Sequence, residues 1–350
     1  MKSSTEIVGC LLGTAVGDAL GLPYEGLSPK RQRRLFPQVA QHHLIFGKGM
    51  VSDDTEHTCM VAQSLILAGG NPQIFTNDLA WQLRWWLLRL PAGVGMATLK
   101  SIIKLWLGFS PAKSGIYSAG NGAAMRSAII GVCYGDRPEL MIEMVRCSTR
   151  ITHSDLKAEF GAIAVAFAAH ISGQKVSIDP EIYYDQLSKL LPSSATELMG
   201  LIRQAIDSIK LGQSTPEFAA SMGWHRGVSG YVYQTVPIAI HAWLSHQQDY
   251  STAILQVIKC GGDTDTTAAI VGGIVGASVG KMGIPRQWLV DLWEFPCNVK
   301  WMEKLGNRLA EAIETNTKCQ PLSMPIHLVC LRNSIFLTVV LCHGFRRCLP

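Results

Sequence analysis

Two acidic clusters hold the side chains best suited to chemistry. In Cys260-Gly261-Gly262-Asp263-Thr264-Asp265-Thr266-Thr267, two carboxylates stand two residues apart, with hydroxyls beside them and a glycine pair in front. In Val51-Ser52-Asp53-Asp54-Thr55-Glu56, hydroxyls again flank adjacent carboxylates, and an apolar segment follows. Hard cations such as Mg²⁺ take oxygen ligands, and both stretches are dense in them. Each also lies where a helix should begin, because Ser, Asp and Thr side chains accept the orphan N–H groups of a first turn. Either cluster alone reads as well as a helix cap. Together, more than 200 residues apart, they suit a site assembled by folding from Asp53, Asp54, Asp263 and Asp265, with hydroxyls from Ser52 and Thr266. Four converging carboxylates repel one another unless cations neutralise them. Two divalent ions ~3.5–4 Å apart would do so, activating water and clamping substrate oxygens. All-oxygen ligation points to two Mg²⁺, with Mn²⁺ as the alternative, and away from zinc.

The same residues fit a second pattern. Asp263-x-Asp265-x-Thr267 has the D-x-D-x-T spacing of haloacid-dehalogenase-like phosphatases, where the first Asp is the nucleophile. That motif belongs after a buried strand near the start of an α/β domain, with a Lys and a second acidic pair downstream. Here the preceding segment has helical period, the motif is late, and no paired acids follow.

The elements that must position the clusters are helices. Thr5 to Leu20 is small and apolar, rich in Gly and Ala, as close helix packing requires. Leu22 to Gly26 breaks it, and the basic Pro29 to Phe36 reads as a solvated turn. Helical periods continue over Thr55–Ala68, Asn77–Leu90, Thr98–Leu107, Ala123–Cys133, a helix opened by Pro138, and a long apolar one ending near Ile171. Trp81 and Trp85, four apart, read as one core-facing stripe. Two more helices are expected between Gly173 and Pro216, then an apolar pattern over Gly227–Leu244, Tyr250–Lys259, the run after Asp265, and Asn298–Glu314. No sustained period-2 alternation, hairpin turn or fixed-period repeat is present. The expected architecture is all-α: one compact orthogonal helical domain over residues 1–317, and an extension of unknown role over 318–350.

The totals exclude other classes. The net charge is +5, but residues 318–350 hold four basic residues and no acid, leaving 27 basic against 26 acidic in the body. That gives no nucleic-acid footprint. Ten scattered cysteines with no C-x-x-C pair exclude a zinc site and fit reduced thiols in a cytoplasmic protein. The N-terminus lacks a cleavage site and reads as a helix of the mature protein. Ile326 to Cys342 is apolar but interrupted by Arg332 and Asn333, short of the ~20 residues a membrane span needs, so no membrane association is expected.

Five pieces occur in a meaningful order: Gly17-Asp18-Ala19-Leu20-Gly21 with Pro23-Tyr24-Glu25; Ser52-Asp53-Asp54-Thr55; Gly120-Asn121-Gly122-Ala123-Ala124-Met125-Arg126; Thr152-His153; and Gly261-Gly262-Asp263-Thr264-Asp265-Thr266. In order and rough spacing the chain resembles the ADP-ribosylglycohydrolase family, including members that reactivate dinitrogenase reductase, over about residues 6–315.

The resemblance implies a helical domain with a binuclear Mg²⁺ or Mn²⁺ centre that hydrolyses the glycosidic bond between ADP-ribose and a protein side chain or small acceptor, by a metal-activated water. The expected partner is therefore an ADP-ribosylated protein or small ADP-ribosyl compound, and the expected assembly a monomer. Carried over by position, Ser52, Asp53, Asp54, Asp263, Asp265 and Thr266 would ligate metal, and Glu25, Asp54 and Asp263 would act in catalysis. Ser118, Gly120, Asn121, Gly122 and His153 would bind substrate, with Val228, Ser229 and Tyr231 toward the adenosine end. Elementary chemistry agrees. A diphosphate needs N–H donors and close backbone approach, which a Gly-Asn-Gly loop opening a helix provides. Glu25 is a reasonable general acid or base.

Two departures matter. Serine stands at position 52 where the family commonly has threonine, which keeps the hydroxyl. Pro91 to Thr98 lacks the acid of arginine-specific members, so a guanidinium leaving group would lose its partner. The alternatives are a non-catalytic ADP-ribose-binding or structural relative, and a hydrolase of another nucleotide-like metabolite on the same metal core.

Overall fold

Glycine recurs at every fourth position of the N-terminal helix Ser4–Gly21, at Gly9, Gly13, Gly17 and Gly21. Four-residue spacing puts them on one face, and that face lies on the helix Thr264–Gly283. The contact is backbone against backbone. A Cβ on Gly13 would sit 2.1 Å from the carbonyl oxygen of Gly272, and one on Gly17 2.1 Å from that of Ala268. The partner helix presents Gly272 and Gly276 in return. Small residues therefore set how closely the end of Thr264–Gly283 that bears Asp265 approaches the helix that bears Asp18.

The computed structural model describes residues 4–37 and 39–348. Around the central pair pack Asp53–Ala68, Leu156–Gly173, Val232–Ser245, Tyr250–Lys259 and Val299–Thr315. One continuous apolar core runs through them. Side-chain caps start several helices: Ser52 for Asp53–Ala68, Asn71 for Pro72–Leu87, Asp155 for Leu156–Gly173 and Asn298 for Val299–Thr315. Among the described residues there is no strand beyond isolated bridges, so the fold is the single all-α domain read from the helical periods. The cysteines from Cys10 to Cys342 are free thiols.

Four local expectations are corrected. Pro29–Leu35 is a helix, because Ser28 accepts from Arg31 N and Pro29 presets the first turn. Trp81 and Trp85 are 53% and 39% exposed, stacked edge to face on the surface, while Trp86 turns inward. The expected helix Ala123–Cys133 is instead a tight 3₁₀ segment, Asn121–Arg126, followed by Ala128–Tyr134. Both ends of the 3₁₀ segment are tied elsewhere, Asn121 to Asp263 and Thr235, Arg126 to Ser148 and Thr152. Finally, Ile326 to Cys342, read as short of a membrane span, belongs to a 23-residue helix, Ile326–Cys348. By length and composition this helix and the N-terminal one are each long and apolar enough to cross a membrane. The N-terminal one is buried from Ile7 to Gly21, and the last lies against the body through Arg332 and Phe336.

Candidate functional site

Gly262 is the backbone junction of the site. Its N–H donates to Leu27 O at 2.8 Å and its carbonyl accepts from Gly26 N at 2.7 Å. Val228 N donates to Gly261 O at 3.0 Å, and Asp263 N to Val228 O at 2.7 Å. At φ +82°, with a Cβ position 2.0 Å from Val228 O, no other residue fits there. The Gly120 loop joins the same seam, since Asn121 N donates to Gly230 O at 2.9 Å and Val232 N to Ala119 O at 2.9 Å. Ile116 pairs with His153. Loops from distant parts of the chain are thus stitched around one opening.

That opening is a cleft of about 600 Å³. Asp53, Asp263, Asp265 and Thr266 line one end beside Glu25, and Ser118, Gly120, Asn121, Gly122 and His153 line another part. Ser52 and Asp54 do not reach the wall; they lie beneath it. Ser52 Oγ donates to Asp54 Oδ2 at 3.1 Å, and Thr266 Oγ1 donates to the same oxygen at 3.3 Å. This bond links the two acidic clusters directly. Asn121 Nδ2 holds Asp263 Oδ2 at 2.7 Å and Thr235 Oγ1 at 3.0 Å. Val228 and Ser229 line the cleft, while Tyr231 pairs through its hydroxyl with Lys157.

Sequence reasoning placed Asp18 in the first of the five pieces but gave it no role. Its Oδ2 accepts from Ser52 N at 2.9 Å, Thr55 N at 3.2 Å and Thr55 Oγ1 at 2.5 Å, so it holds the turn that presents Asp53 and Asp54. A lone carboxylate inside a fully apolar helix was the available signal. Met96, Ala97, Thr98 and Arg226, also unassigned, line the cleft.

The acidic end is electrostatically strained. Burial pushes the Asp18 carboxyl up to about 6. Burial, then the neighbouring carboxylates, hold Asp53, Asp54 and Asp265 well above the usual range. Enclosure, then the charge of Asp263, raise Glu25, against the opposing pull of Arg347. The Oδ1 atoms of Asp18, Asp54 and Asp265 are buried with no hydrogen-bond partner. Buried polar atoms are normally satisfied, and oxygens left over in an acid cluster are the donor set a hard cation takes. Among the described residues no group of three or more His, Cys, Asp or Glu is drawn close enough to hold an ion as it stands.

His153 is neutral. Burial, then the Arg126 charge, lower its pKa to about 3. Arg126 Nη2 donates to Thr152 Oγ1 at 2.7 Å, and that hydroxyl lies 2.8 Å from His153 Nδ1 but 3.4 Å from Thr149 O. The hydroxyl proton is assigned to Nδ1, which makes Nε2–H the free donor. Nε2 lies beside Gly120 and Gly122, 3.2 and 3.6 Å from where their Cβ atoms would be. A donor and unobstructed backbone thus share one stretch of wall.

The sequence profile of ADP-ribosylglycohydrolases matches residues 2–319. An uncharacterised protein of Archaeoglobus fulgidus is 30% identical over 86% of this chain and 95% of its own length. ADP-ribosylhydrolase ARH3 of Xenopus tropicalis is 27% identical, with 88% and 97% covered. The ADP-ribosyl-[dinitrogen reductase] glycohydrolase of Rhodospirillum rubrum is 26% identical, with 81% and 89% covered. A solved ADP-ribosylglycohydrolase-related protein complex shares the fold at a TM-score of 0.67 and 24% identity, over 89% of this chain and 99% of that one. With a profile match across nearly the whole chain and the two acidic clusters joined at one cleft, the chain belongs to the ADP-ribosylglycohydrolase family.

Proposed function

We propose that the protein is a divalent-cation-dependent hydrolase that releases ADP-ribose from an ADP-ribosylated protein or small acceptor. The observation that carries this reading is the bond between Thr266 and Asp54, which brings both acidic clusters to a cleft that His153 and the Gly120–Gly122 loop also line. Asp53, Asp54, Asp263, Asp265, Ser52 and Thr266 are the residues that would hold two Mg²⁺ or Mn²⁺ ions. Bound there, the ions would supply Lewis acidity and lower the pKa of a coordinated water. The relatives' names support the substrate class, since those proteins are called ADP-ribosyl hydrolases.

The chain's own residues do the rest. His153 Nε2–H and the backbone at Gly122 bind the diphosphate, where charge meets fixed donors, while the Gly120 N–H donates to Ser118 Oγ. Asn121 orients Asp263. Glu25, which lines the cleft, exchanges a proton at its carboxylate with water or the departing acceptor atom; burial and then the charge of Asp263 raise its pKa. The neutral segment Gly93 to Thr98 lies next to Asp53 and would face the acceptor, so we assign an O-linked acceptor rather than a guanidinium. Free thiols, buried or half-buried in all described cases but Cys342, suit a reducing cytoplasm.

Two variants separate the roles. Glu25→Gln is expected to lower kcat by about 10²–10⁴-fold while ADP-ribose still binds in calorimetry. A variant that keeps wild-type kcat removes Glu25 from the proton path. Asn121→Ala releases Asp263 and is expected to weaken Mn²⁺ binding about 10–100-fold. Unchanged Mn²⁺ affinity would show that Asp263 needs no such support.

A further inference from the structure

The family profile ends at residue 319, and the helix Ile326–Cys348 lies beyond it. Its outer side is exposed, as at Leu341 and Phe345. Its inner side carries Arg332, Phe336, His343 and Arg347, spaced four, seven and four residues apart and so on one face. Each reaches the root of a loop that lines the cleft.

Arg332 is buried. Its Nη2 donates to Val51 O at 2.6 Å, and its fork clasps Glu294 through Nη2 at 2.5 Å and Nε at 3.0 Å. Glu294 Oε1 in turn accepts from Val51 N at 2.8 Å. Both backbone groups of Val51, the residue before Ser52-Asp53-Asp54, are therefore held by one ion pair. Arg332 Nη1 also reaches Glu56, three residues past Asp53, at 3.1 Å. Asn333 Nδ2 donates to Arg89 O at 2.8 Å, at the start of the segment that runs to Gly93. Phe336 packs in a small separate core with Leu22, Leu44, Met50 and Ala92. His343 Nε2 donates to Pro23 O at 3.0 Å, and Arg347 donates to the carbonyl of Glu25. Three loops, those of Glu25, Asp53 and Gly93, are thus held by one helix.

We infer that the C-terminal helix is a positioning element for the acidic end of the cleft, with Arg332 bracing the Ser52–Asp54 turn and Arg347 bracing Glu25. The inference rests on the hydrolase reading for its catalytic consequence, and on the contacts alone for the brace. A Lys at position 332 would keep the charge but lose the fork that spans Val51 O and Glu294 together.

The test uses the full chain and two kinds of readout. Arg332→Gln alone would strand two acids, so it is paired with Glu294→Gln to keep the fold. Hydrogen exchange is measured over residues 22–27 and 50–55, with kcat, KM and Mn²⁺ affinity alongside. Arg347→Ala is expected to speed exchange at 22–27 about 10-fold and lower kcat with KM little changed. Arg332→Gln/Glu294→Gln is expected to do the same at 50–55 and weaken Mn²⁺ affinity about 10–100-fold, with Arg332→Lys intermediate. Leu341→Gln, on the outer side, leaves every readout unchanged. Unaltered exchange in both inner-face variants overturns the brace. Faster exchange with wild-type kcat and Mn²⁺ affinity overturns its positioning role. An inactive wild type that binds neither Mn²⁺ nor ADP-ribose sinks the hydrolase reading, while exchange still decides the brace.

Discussion

Asp265→Asn is expected to abolish ADP-ribose release and, at the same time, to stabilise the metal-free protein. Asp265 is buried, its Oδ1 has no partner, and burial followed by the charges of Glu25, Asp263, Asp54 and Asp18 raises its pKa. An isosteric amide removes the repulsion and can donate to a neighbouring carboxylate. Relieving an unsatisfied buried group is worth about 1–3 kcal/mol, roughly 1–4 °C in Tm for a chain of this size. Activity moves the other way. Losing one charged ligand forfeits several kcal/mol of transition-state stabilisation, and ~4 kcal/mol is about 10³-fold in rate. A calorimetric scan in EDTA and a progress curve in Mn²⁺ check both halves. A variant less stable than wild type without metal would mean Asp265 is an ordinary structural carboxylate.

The same strain fixes the sign of a pH dependence. Asp18, Asp53, Asp54 and Asp265 have folded-state pKa values raised above their unfolded ones. The folded state then binds more protons than the unfolded state, so this contribution to stability is full below the ordinary aspartate range and is lost as pH rises. For Asp18 the loss runs from the ordinary aspartate range up to about 6, and the other three, also raised, lose theirs in the same direction. The metal-free Tm should therefore rise on acidification from pH 8 to 5, and saturating Mn²⁺ should flatten that trend.

Gly13→Ala is expected to prevent stable folding. Its Cβ would lie 2.1 Å from Gly272 O, a backbone atom of a buried helix that can yield only by moving the whole element. Overpacking of this kind costs about 3 kcal/mol or more. Gly200→Ala is the paired control. It sits inside the exposed helix Thr196–Lys210 with nothing within 4 Å of its Cβ position, and should stabilise by about 0.5–1 kcal/mol. Urea denaturation of both measures the contrast. Equal effects would mean the central helices are not packed backbone to backbone.

The helical architecture was legible because caps and apolar periods agree: Ser52, Asn298 and Pro138 each begin the helix their chemistry favours. The acidic donors were legible because carboxylates and hydroxyls cluster within four residues of chain. The role of Asp18 was not, because its partners Ser52 and Thr55 are 34 and 37 residues away and its own surroundings are apolar. Trp81 and Trp85 share a helix face, but spacing does not say which face turns inward; the helix buries Leu79, Leu83 and Trp86 instead. Arg332 read as a polar break in an apolar run, since Glu294 and Val51, which it clasps, lie far back in the chain.

The most direct measurement is ADP-ribose release from serine-linked and arginine-linked ADP-ribosyl peptides, with Mg²⁺, with Mn²⁺ and with EDTA. The expected result is release from the serine-linked peptide with either metal, little from the arginine-linked one, and none in EDTA. Release that continues undiminished in EDTA, or no release from either peptide together with no binding of ADP-ribose, would contradict the reading of the acidic cleft as a cation-dependent hydrolase site.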